Sequence, residues 1–151
     1  KSHLLALKDA EKNKYKNVLI LEDDFIFKES KDKMNQILKD LIKIDKDYNM
    51  FLLGKNLMKY RNFRSDFVEV IEAQTTSGYL ISDKFIPKLI ENFEFAVNSL
   101  ENGASQKESS IDICWKKLQQ PGGKIYTTLK PIGIQKESYS DIEKRNIFYT
   151  C

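Results

Sequence analysis

The run Val18-Leu19-Ile20-Leu21-Glu22-Asp23-Asp24 constrains the fold more than any other stretch of the chain. Four apolar residues in a row, with no polar alternation, predict a central strand buried on both faces. The run then ends in three carboxylates. Their charges repel one another, and burial raises the cost of each. In an extended chain residues i and i+2 share a face, so Glu22 and Asp24 converge while Asp23 points away. Two converging carboxylates at the carboxyl end of a strand form half of a Mg²⁺ or Mn²⁺ site. Such ions take one or two carboxylates and complete their shell with phosphate oxygens and water. Open α/β sheets also place their ligands at that end of a strand. The plain alternative is a solvated acidic turn.

Around this run the pattern alternates between helix and strand. Ser2 is placed to cap a helix reaching about Lys14, with Leu4, Leu5, Leu7 and Ala10 apolar. Ser30 opens the clearest helix, where Met34, Ile37, Leu38, Leu41 and Ile42 fall on one stripe. Phe51-Leu52-Leu53 reads as a second buried strand closed by Gly54. Residues 55–66 read as a polar, basic loop and Phe67 to Ile71 as a strand. Thr75 to Gly78 look turn-like before the strand Tyr79-Leu80-Ile81. Ser82 is placed to cap a helix through about Phe93, with Pro87 tolerable in its first turn. Ser99 to Ser109 read as a polar loop. Ile111, Cys114, Trp115 and Leu118 mark a last amphipathic helix, stopped by Pro121-Gly122-Gly123. A strand from Lys124 to Thr128 follows, and periodicity fades after Pro131. Strands alternating with helices predict an α/β layer structure in one domain spanning residues 1–151.

Composition narrows the chemistry. No apolar run approaches the ~18 residues of a membrane-spanning helix. Charged residues close to the start leave no room for a secretory signal, so a reducing, cytoplasmic setting is expected. Cys114 and Cys151 form no CxxC pair, and the single histidine, His3, excludes histidine-cluster zinc sites. A metal must therefore be held mainly by carboxylates. The net charge is +3, but only three of the 25 basic residues are arginine (Arg61, Arg64, Arg145) and the cations are interleaved with acids. A nucleic-acid partner is not expected.

Ser2-His3 opening a helix, and then a buried strand ending in Leu21-Glu22-Asp23-Asp24, resemble the pattern of glycosyltransferase family 25. That family includes lipooligosaccharide and collagen galactosyltransferases. Ser77-Gly78-Tyr79-Leu80-Ile81-Ser82 resembles its strand that runs into a helix. Asp112 near Trp115, and the tail from Gln135 to Ser140-Asp141-Ile142, are similar to further family landmarks. The lysine richness and the tail are similar to giant-virus versions. The resemblance covers most of the chain. It implies a GT-A fold, a Rossmann-like mixed sheet flanked by helices, that binds a nucleotide sugar through an acid-x-acid motif and Mn²⁺. Asp24 would be the direct metal ligand, and Glu22 would face the ribose or the metal's outer shell. The family's first βα units have no counterpart before Ser2-His3. The chain is therefore expected to be a piece of a longer enzyme, with weak donor binding by itself.

The candidate metal ligands are thus Asp24, Glu22 and Gln135. Candidate donor-binding residues are Glu22, Asp23, Ser77, Gly78 and His3. Ser77 and Gly78 are small enough for a sugar or phosphate to approach closely, and His3 is placed to meet the diphosphate or sugar. Ser138 and Asp141 are candidates for further polar contacts. Asp112 is the candidate catalytic base of an inverting transfer, since it falls off its helix's apolar stripe and such a base must lie across the reacting carbon from the metal; the alternative is a first-turn acid that complements the helix dipole. Trp115 and Tyr79 are candidates for stacking on an acceptor sugar, against a core role. Lys55, Lys59, Tyr60, Arg61 and Arg64 are candidates for contacting an anionic donor or acceptor. The expected reaction moves a hexose from a UDP-sugar to a hydroxyl of a glycan, lipid-linked or protein acceptor. The alternative is a non-catalytic binding or scaffold module of GT-A shape. A phosphotransfer receiver is disfavoured because Phe51-Leu52-Leu53 ends in Gly54-Lys55, without an acid. A metal nuclease is disfavoured by the charge map.

Overall fold

Alternation at the centre of the chain sets the architecture. Met50 and Leu52 enter one hydrophobic cluster, and Phe51 and Leu53 enter another on the opposite side of the same strand. A strand apolar on both faces needs a layer over each. The computed structural model describes residues 1–136, 138–140 and 145–147. Its elements run α1 (Ser2–Lys12), β1 (Asn17–Leu21), β2 (Phe25–Phe27), α2 (Lys31–Ile44), β3 (Met50–Arg64), β4 (Phe67–Ser82), α3 (Ile86–Glu101), α4 (Gln106–Ser109) and α5 (Ile111–Cys114). A 3₁₀ turn (Trp115–Leu118), β5 (Ile125–Thr128), β6 (Gly133–Gln135), β7 (Ser138–Ser140) and β8 (Arg145–Ile147) complete the order.

The main sheet has the order β1-β4-β3-β5 and is mixed. β1 and β3 each run antiparallel to β4, and β5 runs parallel to β3 before crossing to pair with β4. On one face Leu7 and Ala10 of α1 join Leu89 and Phe93 of α3 and the ring of Trp115. On the other face Met34, Ile37 and Leu41 of α2 cover Phe51, Leu53 and Tyr126. Each large side chain buried this way contributes about 1.5–3 kcal/mol. The protein is therefore mixed α/β, with a mixed four-stranded sheet flanked by helices. No helix among the described residues is long and apolar enough to cross a membrane.

Several expectations are corrected. β1 is an edge strand among the described residues, not a central one. It pairs with β4, and only Ile20 is buried, while Leu19 and Leu21 are 49% and 39% exposed. An antiparallel edge strand can leave one face to solvent, and an unbroken apolar run does not reveal that. Residues 55–66 are not a loop. They form the outer arm of a long β3–β4 hairpin, whose register shifts are spread along its length. Thr75 to Gly78 do not turn the chain but bulge within β4. Gly54 pairs with Gly78 and Asn56 with Gln74, so β4 uses four residues where β3 uses two, and Thr75 takes φ +77°. Ser30 caps α2 as expected, accepting from the Lys33 amide, but Ile42 on its stripe is exposed. Lys1, not Ser2, caps α1, and Phe85, not Ser82, caps α3, which continues to Glu101. The expected last helix is split into α5 and the 3₁₀ turn.

Candidate functional site

β1 delivers the acidic residues into a turn tied on three sides. The Glu22 amide donates to the Ser77 carbonyl at 2.8 Å, and the Phe25 amide donates to the Glu22 carbonyl at 3.1 Å. The Lys136 amide donates to the Asp24 carbonyl at 2.8 Å, continuing the β2–β6 ladder in which Phe25 faces Gln135. The turn thus sits where the main sheet meets the small one.

Within it Glu22 and Asp24 converge and Asp23 is exposed. Gln135 Nε2 donates to Glu22 Oε2 at 3.1 Å and to Asp24 Oδ2 at 3.2 Å. Glu22 Oε1 also accepts from Thr76 Oγ1 at 3.0 Å and from His3 Nε2 at 3.2 Å. A carboxylate can only accept, so His3 Nε2 carries a hydrogen toward Glu22, and in the neutral ring Nδ1 accepts from the Tyr79 hydroxyl at 3.0 Å. Burial, with the charge of Glu22 nearby, pushes the Tyr79 phenol far above its usual range and keeps it a donor. His3 stacks on Tyr79, and Tyr79 meets Trp115 edge to face. Glu22 is therefore held by three side chains.

Asp24 is not. Its Oδ1 is buried and has no hydrogen-bond partner. Loss of solvent raises its carboxyl above the usual range. The Gln135 hydrogen bond opposes that shift, and the charges of Glu22 and Asp23 add to it. A buried carboxylate oxygen with no partner is a strong cation donor. Among the described residues no three carboxylate, histidine or cysteine side chains converge on one point. The available set is two carboxylates and an amide, which suits a hard cation that brings its own phosphate and water ligands.

Other candidates take different places. The space over Gly78 is filled by protein, because a Cβ there would stand 2.6 Å from the Phe25 ring. Gly54 and Gly133 complete this cradle, and a Cβ on Gly133 would lie 1.9 Å from Phe25 Cζ. Ser77 is fully buried, with its hydroxyl against Gly54. Ser77 and Gly78 thus seat Phe25 and fix the turn, and they leave no surface for a sugar. His3 offers no free ring nitrogen and reaches the site through Glu22. Tyr79 and Trp115 are core residues, 0% and 1% exposed, with the Trp115 indole N–H donating to the Ala73 carbonyl. Cys114 is buried, and burial pushes its thiol up. Asp112 is half-buried in the first turn of α5 and accepts from Ser110 Oγ at 2.6 Å. Arg61 pairs with the buried Glu69. Asp141 and Cys151 lie outside the described residues, as do the side chains of Ser138 and Ser140. Thr76 went unrecognised as a partner of Glu22, since no spacing rule links a bulge to a neighbouring strand end.

A cleft of about 520 Å³ lies elsewhere, between α2 and the loops at Ser65 and Leu129. Its lining carries Lys33, Lys43 and Lys130 against Glu29, Asp40 and Asp66, which favours neither sign of ligand. The converging, partly unsatisfied polar groups are at the acidic turn.

The Phe25 cradle yields a stability prediction. Gly133→Ala should cost about 1–3 kcal/mol through overpacking against the ring. Urea denaturation measures it, and Phe25→Leu in the same chain should restore part of the loss. An alanine variant as stable as the parent would contradict the cradle.

Compared with known proteins, the chain matches no family model and no curated protein.

Proposed function

We propose that this chain is a metal-dependent glycosyltransferase domain of GT-A type. It would move a hexose from a nucleotide-diphosphate sugar, a UDP-sugar by preference, to a hydroxyl of a glycan, lipid-linked or protein acceptor. The observation that carries the reading is the pairing of Glu22 and Asp24 through Gln135, with the buried Asp24 Oδ1 left without a partner.

Asp24 Oδ1 is the leading donor to Mn²⁺ or Mg²⁺, with Gln135 beside it. A bound ion would neutralise the charge that builds on the departing diphosphate. Glu22, fixed by His3, Thr76 and Gln135, keeps the second carboxylate from swinging away. Asp112 would accept the proton of the acceptor hydroxyl as that oxygen attacks the anomeric carbon. α5, which carries Asp112, leads directly into Trp115, whose ring meets that of Tyr79, the partner of His3.

The test is a titration of Mn²⁺ with a panel of UDP-, GDP- and TDP-sugars, read by thermal shift and by transfer to hydroxyl acceptors. A stabilisation that needs both ion and nucleotide supports the reading. Binding without transfer by the whole protein would favour a scaffold. No response to any ion–nucleotide pair would refute the metal site.

A further inference from the structure

We propose that Gln135 is a two-state amide that stands in for the cation when the site is empty and becomes its ligand when the site fills. The proposal rests on the metal-site reading above. A single NH₂ group lies between two carboxylates and gives one hydrogen to each, at 3.1 and 3.2 Å. That is where a divalent ion held by the same two carboxylates would deliver its charge.

The backbone around Gln135 cannot withdraw easily. Gln135 is registered against Phe25 in the β2–β6 ladder, and the next amide, of Lys136, donates to the Asp24 carbonyl at 2.8 Å. Phe25 in turn is seated over Gly133, Gly78 and Gly54. The freedom that remains is in the side chain. The terminal torsion of a glutamine is broad and roughly two-fold, so a half-turn exchanges the NH₂ for the carbonyl oxygen at nearly the same position. With no ion, the donor face holds two like charges together. With an ion, the acceptor face would turn inward and add an oxygen ligand beside the Asp24 carboxylate. Glutamine suits both states. A lysine here would be a permanent counter-ion, and a glutamate would leave three carboxylates facing one another without an ion.

The experiment compares the parent chain with Q135L, Q135E and Q135K. Melting temperature is read in EDTA and in Mn²⁺ plus UDP, and Mn²⁺ affinity is read by titration. Q135E should melt lower than the parent in EDTA and show a larger rise on adding Mn²⁺ and UDP. Q135K should hold its melting temperature in EDTA and lose the rise. Q135L should bind Mn²⁺ several-fold more weakly than the parent. The two-state role is overturned if Q135L binds as tightly as the parent, or if Q135E is as stable as the parent in EDTA. Should Q135E not fold, Q135L and Q135K still decide. A parent chain that ignores Mn²⁺ plus UDP overturns the metal site itself, and the two-state role falls with it. A responding parent with an equally responsive Q135L removes only the role of Gln135.

Discussion

Asp24→Asn should weaken binding of Mn²⁺ plus UDP by about 100-fold or more, whereas Asp23→Asn should change it by about threefold at most. Both substitutions remove one negative charge from the same turn, so long-range attraction for the cation falls equally. The difference lies in position. Asp24 Oδ1 is buried and without a partner, while Asp23 is exposed. A buried oxygen already stripped of water needs little further desolvation to coordinate an ion. An exposed carboxylate contributes only a screened field. The same substitution should act oppositely on the empty protein. The Asp24 carboxyl is raised by burial and by its acidic neighbours, so its protonated form is favoured in the fold. That contribution to stability is complete below the unfolded value of 3.8 and is lost as pH rises through the higher folded value. At neutral pH Asp24 is therefore a liability without an ion. Asp24→Asn should melt no lower than the parent in EDTA and should flatten this part of the pH profile. Calorimetric titration and thermal melts at several pH values check both halves. Equal losses at positions 23 and 24 would remove the geometric basis of the site.

The legible and illegible parts of this protein divide along physical lines. α2 could be read because Ser30, Met34, Ile37 and Leu41 agree at the levels of cap and period, and all four behave as their positions demand. The convergence of Glu22 and Asp24 could be read because alternation of side chains is local. It survives although residues 23 and 24 form a turn rather than continuing the strand. The edge position of β1 could not be read, since which neighbours a strand finds depends on contacts with residues more than fifty positions away. The outer part of β3 was hidden by its exposure: residues 56–64 are mostly in solvent and show no hydrophobic period, so they carry a loop's composition, although their β4 partners Phe67, Val68 and Val70 are buried. Gly78 invited a ligand-binding reading because a missing Cβ makes room. Only the fold shows that Phe25 takes the room. His3 lies beside the acidic turn, against Glu22. Its position behind Glu22 required the Tyr79 hydroxyl, 76 residues away, to claim the other ring nitrogen.

Asp112→Asn in the whole protein should lower turnover by about 100-fold or more while leaving donor binding intact. An attacking hydroxyl must lose its proton as it bonds to the anomeric carbon. In the proposed inverting transfer the acidic turn would face the departing diphosphate, so the group that takes the proton would lie elsewhere. Asp112 is a carboxylate on a different element and is half-buried. Its Oδ1 already accepts from Ser110 Oγ, which fixes the carboxyl group, and in the proposed reaction the other oxygen would meet the acceptor hydroxyl. The competing role is local: an acidic residue in a helix's first turn complements the helix dipole, worth about 0.3–1 kcal/mol. α5 is only Ile111–Cys114, so its aligned dipole is small and that stabilisation belongs at the low end of the range. Rate and stability therefore separate the two roles. A base lost at position 112 slows transfer without altering the donor's thermal shift. A dipole partner lost there lowers the melting temperature slightly and leaves the rate near the parent's. Ser110→Ala sharpens the comparison. It frees the carboxyl group without removing it, so a catalytic Asp112 should lose several-fold in rate, and a purely structural one should lose none.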